Sequence, residues 1–474
     1  MIKILWMNTS SRLKSLAFYE TLKHGSVYFS SYIFIQLISV ISLPIFTKLL
    51  QPTDFGIYEV FNNTVRLLSI IFSLNLSAGF YRFYFDESYD KKSLVAYCVK
   101  NMLLYSTIGL IVFALFSTSI LDFINLPKHL FPFIIIGIYV NIIMLFFNNY
   151  TNVQLKSKTY SIWNIVFNIF RVAFSIVCIL WIAKNYYGRI LGETIGMALI
   201  TILILFIYFR KYFFIKGSIN SKKELYVYSL GLIPIALSGF ILGYFDTIII
   251  NAMENSNDAG LYSYAYKIAI IYSGFTAAFI SANRPNMFEL FNKKDEDAVK
   301  NQIKSLIKLI TAVACFFIFF SETGGQILAL NDKFYAALHL LPVLIIAYIF
   351  NDINTILGFY IYYEKKVQYL YWSIGVAALI NIILNIIFIP KYGYQVAAYT
   401  TLVSYICMAS FTYLIIKFVI KQNLPRWTIG IEGALIIATV TILNYFINNI
   451  ELNIILNVFL KIVIYGVFAL NIMA

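Results

Sequence analysis

Long apolar runs separated by short polar stretches set the pattern of this chain. Fourteen runs read as helices that cross a membrane, at about 27–50, 57–80, 94–119, 130–154, 160–183, 190–213, 226–250, 261–283, 303–321, 334–358, 369–389, 394–416, 428–447 and 452–472. A spanning helix needs about 20 mainly apolar residues. The runs are continuous rather than alternating, which excludes the strands of a membrane barrel. Every connection is short, so none holds a soluble domain. Pro52, Pro127, Pro390 and Pro425 fall near run ends, where a missing N–H costs little. Pro44, Pro234 and Pro342 fall inside runs and predict kinks, which lipid tolerates only where neighbours or water satisfy the backbone.

Composition agrees with this pattern. Of 474 residues, 61% are hydrophobic and only 12% are charged, against roughly 25% charged in a soluble domain. The fold class is therefore all-α integral membrane. A net charge of +14 would suggest nucleic acid in a soluble protein, but here the cations sit in short loops. With a cytoplasmic N-terminus, 26 of the 36 Lys and Arg lie inside, 6 outside and 4 within the runs. That asymmetry is the positive-inside signature. It puts both termini in the cytoplasm, with residues 1–26 as a cytoplasmic segment that shows no signal-peptide cleavage pattern. The chain ends at Ala474 without a charged tail, as a truncated sequence would.

The chemistry-bearing residues are few. Cys98, Cys178, Cys315 and Cys407 lie in or beside apolar runs without CxxC spacing, and read as small buried side chains. His24, His129 and His339 have no metal-ligand spacing with Cys, Asp or Glu. There is no GxxxxGK[ST] phosphate loop and no GxSxG nucleophile. The expectation is a protein that is not an enzyme and has no cofactor or metal of its own.

A short pattern occurs twice. Asp54-Phe55-Gly56-Ile57-Tyr58 returns as Asp258-Ala259-Gly260-Leu261-Tyr262, 204 residues later. Lys156-Ser157-Lys158 with Trp163 answers Lys365-Lys366 with Trp372, and Tyr187-Gly188 answers Tyr392-Gly393. Arg66 answers Lys267, and Arg82 answers Arg284. The offsets of 201 to 209 predict a bundle of about six helices duplicated in tandem, and in transporters the repeat interface is where substrate goes. Read as a turn, the repeated pattern uses Gly56 and Gly260 for unusual backbone angles. Asp54 and Asp258 then precede helix starts as caps, and Tyr58 and Tyr262 sit at the membrane interface.

Leu49-Leu50-Gln51-Pro52-Thr53-Asp54-Phe55-Gly56-Ile57-Tyr58 resembles the first-loop signature of polysaccharide flippases. These form the oligosaccharide branch of the multidrug/oligosaccharidyl-lipid/polysaccharide exporter superfamily. Asp246-Thr247-Ile248-Ile249-Ile250 followed by Gly260-Leu261-Tyr262 is similar to that family's seventh span and next loop. Asn385-Ile386-Ile387-Phe388-Ile389-Pro390-Lys391-Tyr392-Gly393-Tyr394 with Ala397-Ala398 resembles its stretch between spans eleven and twelve. The resemblance covers about residues 20 to 425. It implies two six-helix lobes, here 27–215 and 220–425, around a cavity that opens to each side in turn, with an extra helix pair at 426–474. It further implies transport of an oligosaccharide on undecaprenyl pyrophosphate, such as an O-antigen, capsule or exopolysaccharide unit, from the inner to the outer leaflet of a bacterial inner membrane. The partners it implies are that lipid-linked oligosaccharide, membrane lipids and glycan polymerase or assembly proteins, and no nucleic acid. A multidrug or metabolite exporter of the same superfamily is the alternative.

Five cations are candidates for an anion-binding cavity. Arg66 and Arg171 lie about ten residues into their runs, where a cation costs about 2.5–3.5 kcal/mol unless an acid or water meets it. A guanidinium can grip phosphate oxygens with two parallel hydrogen bonds. The competing reading is an internal ion pair with one of the few acids in the runs, Glu59, Glu193, Asp246, Asp352 or Glu432. Lys267 could line the same cavity from the second repeat. Arg82 and Arg284, near the cytoplasmic ends of their runs, suit an incoming headgroup, or simple anchoring. Asp246 and Asp352 are candidates for a coupling cation, a proton or sodium, with pairing between Asp246 and Lys267 as the other reading. Inward tyrosines could stack on sugar rings, but the pattern does not select which.

Overall fold

The computed structural model describes residues 26–473 except 29, 220, 423, 425–427 and 450–453. The N-terminal segment read as cytoplasmic, up to residue 25, lies outside the described residues, as does part of the linker before the last two helices. Each apolar run of the sequence is helical, and no strand occurs among the described residues.

The helices in chain order are α1 (Ser26–Leu49), α2 (Pro52–Phe72), α3 (Leu76–Phe83), α4 (Lys91–Phe123), α5 (Phe131–Val153), α6 (Ser157–Trp181) and α7 (Tyr186–Ile204). There follow α8 (Lys222–Gly231), α9 (Ile233–Phe240), α10 (Asp246–Met253), α11 (Ser256–Lys293), α12 (Glu296–Leu328), α13 (Leu341–Tyr363), α14 (Gln368–Tyr392), α15 (Val396–Ile415), α16 (Thr428–Asn449) and α17 (Ile454–Met473). Among the described residues, eleven helical segments are long and apolar enough to cross a membrane, or twelve if α2 and α3 form one span. Shorter apolar stretches lie at Ile436–Ile447 in α16 and Phe459–Ala469 in α17. The chain is a multi-pass membrane protein.

Several runs depart from straight helices. The run 57–80 bends by 55° between α2 and α3, where Leu74 and Asn75 take left-handed backbone angles. Asparagine tolerates that region and leucine does not, so the bend is held from outside, in part by Ser73 Oγ accepting the Asn75 N–H at 3.2 Å. The run 226–250 breaks at Leu232 into α8 and α9, and Pro234 lies in the first turn of α9, where its missing N–H costs little. A π-helical turn, Ile241–Phe245, then delivers the chain to Asp246 at the head of α10. Pro342, expected to kink a run, instead lies in the first turn of α13 after a 3-10 segment. A proline is tolerated there because that N–H has no helical partner.

The chain divides into two compact units: residues 1–49, 64–122 and 127–233, and residues 50–63, 123–126 and 234–474. In the first, α6 and α7 pack backbone to backbone. Gly188, Gly192 and Gly196 recur every four residues on α7, and a methyl at Gly192 would lie 2.7 Å from the Ser175 Cα. Small residues at this spacing allow close approach where lipid supplies no hydrophobic drive.

In the second unit, the two copies of the repeated pattern meet. A methyl at Gly56 would lie 2.8 Å from the Gly260 nitrogen, and one at Gly260 would lie 2.9 Å from the Gly56 nitrogen. The glycines are thus needed for a helix crossing, not for a turn: both lie in the first turns of α2 and α11. The aspartates do not precede their helices either. Asp54 Oδ2 accepts the Gln51 N–H at 3.2 Å. Asp258 receives a bond from Asn255, which is the true cap of α11. Tyr58 and Tyr262 are buried rather than interfacial.

Candidate functional site

The helix crossing at Gly260 sets Tyr262 one half-turn further into the second unit, and that side chain leads to the most elaborate polar cluster there. The Tyr262 hydroxyl donates to Asp246 Oδ2 at 2.6 Å. Thr401 Oγ1 on α15 donates to the same oxygen at 2.7 Å. Asn385 Nδ2 on α14 donates to Asp246 Oδ1 at 2.7 Å and to Asn381 Oδ1 at 3.2 Å. Thr400 Oγ1 donates to Asn385 Oδ1. Asp246, Asn381, Asn385, Thr400 and Thr401 are all buried. The carboxylate's partners are neutral, so the alternative pairing with Lys267 does not form. A buried carboxylate without a countercharge is costly unless it takes up a proton or a cation. The surrounding amide, carboxylate and hydroxyl oxygens are the donors a hard cation prefers. Asn381 Nδ2 is left without a hydrogen-bond partner.

The π-helical turn explains why Asp246 points into the bundle. Such turns shift the phase of a helix and concentrate at functional sites. Asp352, on α13, is another buried carboxylate of this unit; the Tyr272 hydroxyl donates to it at 3.1 Å.

Two of the candidate cations meet carboxylates in ion pairs. Lys267 meets Glu59, its Nζ 3.0 Å from Oε1, one turn beyond the Gly56–Gly260 crossing and 5.8 Å from the centre of the Phe55 ring. Arg171 on α6 meets Glu193 on α7 at 3.6 Å, a pairing that the glycine ladder makes reachable. For Arg171 the geometry presents the ion-pair reading, and for Lys267 it presents a different acid, Glu59 rather than Asp246. Arg66, Arg82 and Arg284 are exposed. Arg82 lies 6.0 Å from the Phe83 ring centre. The Arg284 guanidinium packs on Phe359 and Tyr362, 5.8 and 5.6 Å from their centres. It lines a cavity of about 250 Å3 with Asn351, Asn354, Thr355 and Tyr362.

Two features escaped the sequence pattern. Arg189, counted among outer-loop cations, is buried with its guanidinium 4.1 Å from the Phe46 ring centre. The asparagine and threonine partners of Asp246 were also missed as a site, although Asn385 opens one of the stretches that carry the resemblance. The signal was present in the four-residue spacing of Asn381 and Asn385 on one helix face.

The sequence profile of the family described as "Polysaccharide biosynthesis protein" matches residues 21–291. A curated relative, the probable low-salt glycan biosynthesis flippase Agl15 of Haloferax volcanii, is 22% identical over 195 residues. The match spans 40% of this chain and 41% of that relative, less than half of either. Among solved structures, the lipid II flippase MurJ in an inward closed conformation superposes with a TM-score of 0.71 at 17% identity, over 93% of this chain and 97% of that one. An inward-facing multidrug resistance MATE transporter of the MOP superfamily reaches 0.57 at 12% identity, over 86% and 95%. At these identities the structures speak for the fold. More than half of the sequence is matched by the profile, and the chain belongs to the polysaccharide biosynthesis protein family.

Proposed function

We propose that this chain is a flippase that carries a lipid-linked oligosaccharide from the inner to the outer leaflet by alternating access, with a cation coupled at Asp246. The carrier in this reading is undecaprenyl pyrophosphate, the membrane a bacterial inner membrane, and both termini cytoplasmic. Fourteen spans form two six-helix lobes and a C-terminal pair. Family membership supports the substrate class, as does the likeness to a probable glycan biosynthesis flippase and a lipid II flippase.

The observation that carries the reading is Arg66, exposed at the fifteenth position of the 21-residue α2. A guanidinium exposed at that position can grip phosphate oxygens with two parallel hydrogen bonds. Arg284, with amide and hydroxyl groups beside it, offers a second place for phosphate or an acidic sugar, and Arg82 a landing point for a headgroup from the inner leaflet. Lys267 and Arg171 act through their acids: when the headgroup arrives, Glu59 and Glu193 compete with it for the cation. Coupling at Asp246 draws support from a buried carboxylate held by neutral groups only. Asp352 is the reserve position for a proton.

The test is transport of lipid-linked oligosaccharide in liposomes, with imposed sodium or proton gradients. Wild type is expected to move the lipid and to respond to one gradient. Arg66→Ala should slow it at least 10-fold, and Asp246→Asn should abolish the response to the gradient. Wild type that exports a cationic dye but no lipid-linked sugar would turn the reading to the multidrug alternative.

A further inference from the structure

The first unit contains a cavity of about 550 Å3 lined by Tyr28, Ser31, Tyr32, Ile35, Tyr81, Asn152, Leu155 and Tyr160. It is built from α1, α3, the end of α5 and the start of α6. Small-molecule sites fall in the range of about 300–1,000 Å3. Tyr28 and Tyr160 meet edge to face, with centroids 5.1 Å apart. Three of the lining side chains carry a buried polar atom with no hydrogen-bond partner: Tyr28 Oη, Ser31 Oγ and Asn152 Oδ1. Ser31 is only 3% exposed. Buried polar atoms are almost always bonded, so three orphans on the wall of one cavity mark a place where a partner is missing.

The chemistry of the wall restricts that partner. Among the described residues no Lys or Arg lines the cavity, and Asn152 Oδ1 is an acceptor that would repel a phosphate oxygen. An acyl chain would leave all three orphans unpaired. A neutral ring bearing several hydroxyls meets every demand. Each hydroxyl both donates and accepts, which suits an amide oxygen beside two hydroxyls. The C–H faces of such a ring lie well on aromatic surfaces, whose tyrosine hydroxyls stay free for polar contact.

We propose that this four-tyrosine cavity is a carbohydrate subsite, holding a neutral pyranose ring of the transported glycan. The proposal rests on the reading of the chain as a carrier of a sugar-bearing lipid, and it names the tyrosines that the sequence pattern left unselected. A sugar anchored here is recognised apart from the phosphate carrier, so glycan selection and carrier selection use different residues.

The experiment uses the full chain in lipid nanodiscs, free of glycosidic detergent. Saturation-transfer NMR is recorded with methyl glucoside, methyl mannoside and N-acetylglucosamine. Binding of sugar-free undecaprenyl pyrophosphate is measured alongside, and thermal melting checks folding. At least one sugar should receive saturation from wild type. The Ser31→Ala/Asn152→Leu double variant should lose that signal at least 10-fold, melt no lower than wild type and keep its affinity for the sugar-free lipid. Conservative Asn152→Gln should recover part of the sugar signal. Absence of sugar signal in wild type overturns the subsite, and so does a signal that the double variant retains. Failure of the flippase reading shows separately, as wild type that neither binds the sugar-free lipid nor moves its sugar-bearing form.

Discussion

Two polar constellations in this protein have opposite states of completion. Around Asp246 the carboxylate accepts three hydrogen bonds, from Tyr262, Thr401 and Asn385, and Asn381 Nδ2 at the edge of the cluster is its one orphan among the described residues. Around the tyrosine cavity three polar atoms have nothing. The Asp246 cluster is buried, and so are the three orphan atoms, although Tyr32, Tyr81 and Leu155 beside them are exposed; both places would pass a hydropathy scan as ordinary interruptions of apolar helices. A saturated cluster is preorganised and holds its geometry without a ligand; an unsaturated one becomes lower in free energy when something arrives. The difference separates a charge that must be managed in every state from a surface that waits for a substrate.

The same operation, polar to apolar, should therefore have opposite signs at the two places. Asp246→Leu strands three buried donors, each worth about 1–3 kcal/mol, and is expected to lower stability by about 3 kcal/mol or more. Ser31→Ala removes an orphan and should raise stability by about 1 kcal/mol or less. Thermal melts of the two variants in one detergent check this. If both destabilise equally, the orphan atoms have partners in the membrane and the comparison collapses. Asp246→Asn separates charge from shape: stability should hold while the response of transport to a cation gradient disappears.

Gly260→Ala tests what holds the saturated cluster together. The methyl runs into the backbone of α2 at Pro52 and Gly56, and overpacking of this kind costs about 1–3 kcal/mol. Tyr262 sits two residues along the same turn, so the loss should be less than additive with that of Asp246→Leu in a double-mutant cycle. Gly324→Ala is the control, because a methyl there meets nothing within 4 Å, and helix propensity alone predicts a gain. Additive losses would mean that the crossing and the carboxylate are independent features.

The hydropathy pattern carried the helices, because burial in lipid imposes one rule on every span: all backbone groups bond internally. It missed the bend at Leu74 and Asn75, since neither residue is a breaker and the bend is set by packing. It read the Asp-x-Gly-x-Tyr pattern as a turn because glycine beside aspartate is ambiguous between a turn and a close crossing. Only the position of the other copy decides. Charges were legible as residues and not as pairs. Arg171 and Glu193 lie 22 positions apart, Lys267 and Glu59 far more, and nothing local links them. Arg189 was assigned to a loop by its neighbours Lys184 and Asn185, although a ring 143 residues earlier, Phe46, covers it. The orphan atoms were wholly invisible, because an absence of partners exists only in three dimensions.

The smallest expected effect belongs to a carboxylate that has the bonds of Asp246 but not its burial. Asp90 caps α4, its Oδ2 accepting the Ser93 N–H at 2.8 Å, and it is exposed. Hydrogen bonds from the Ser93 side chain, and then from its backbone N–H, hold the Asp90 carboxyl below its ordinary range. A carboxyl lowered in the folded state contributes stability that is present above the unfolded value and is lost as pH falls through the folded one. Asp90→Ala should therefore cost about 0.5 kcal/mol at neutral pH, the low end for a helix cap, while Asp90→Asn, an equally good cap, should cost almost nothing. The gap between wild type and Asp90→Ala should narrow in melts below the carboxylate range. Water solvates the stranded N–H at Asp90, whereas nothing solvates the donors stranded around Asp246. If Asp90→Ala costs as much as Asp246→Leu, then the hydrogen bonds alone account for both, and burial is not what distinguishes the saturated cluster.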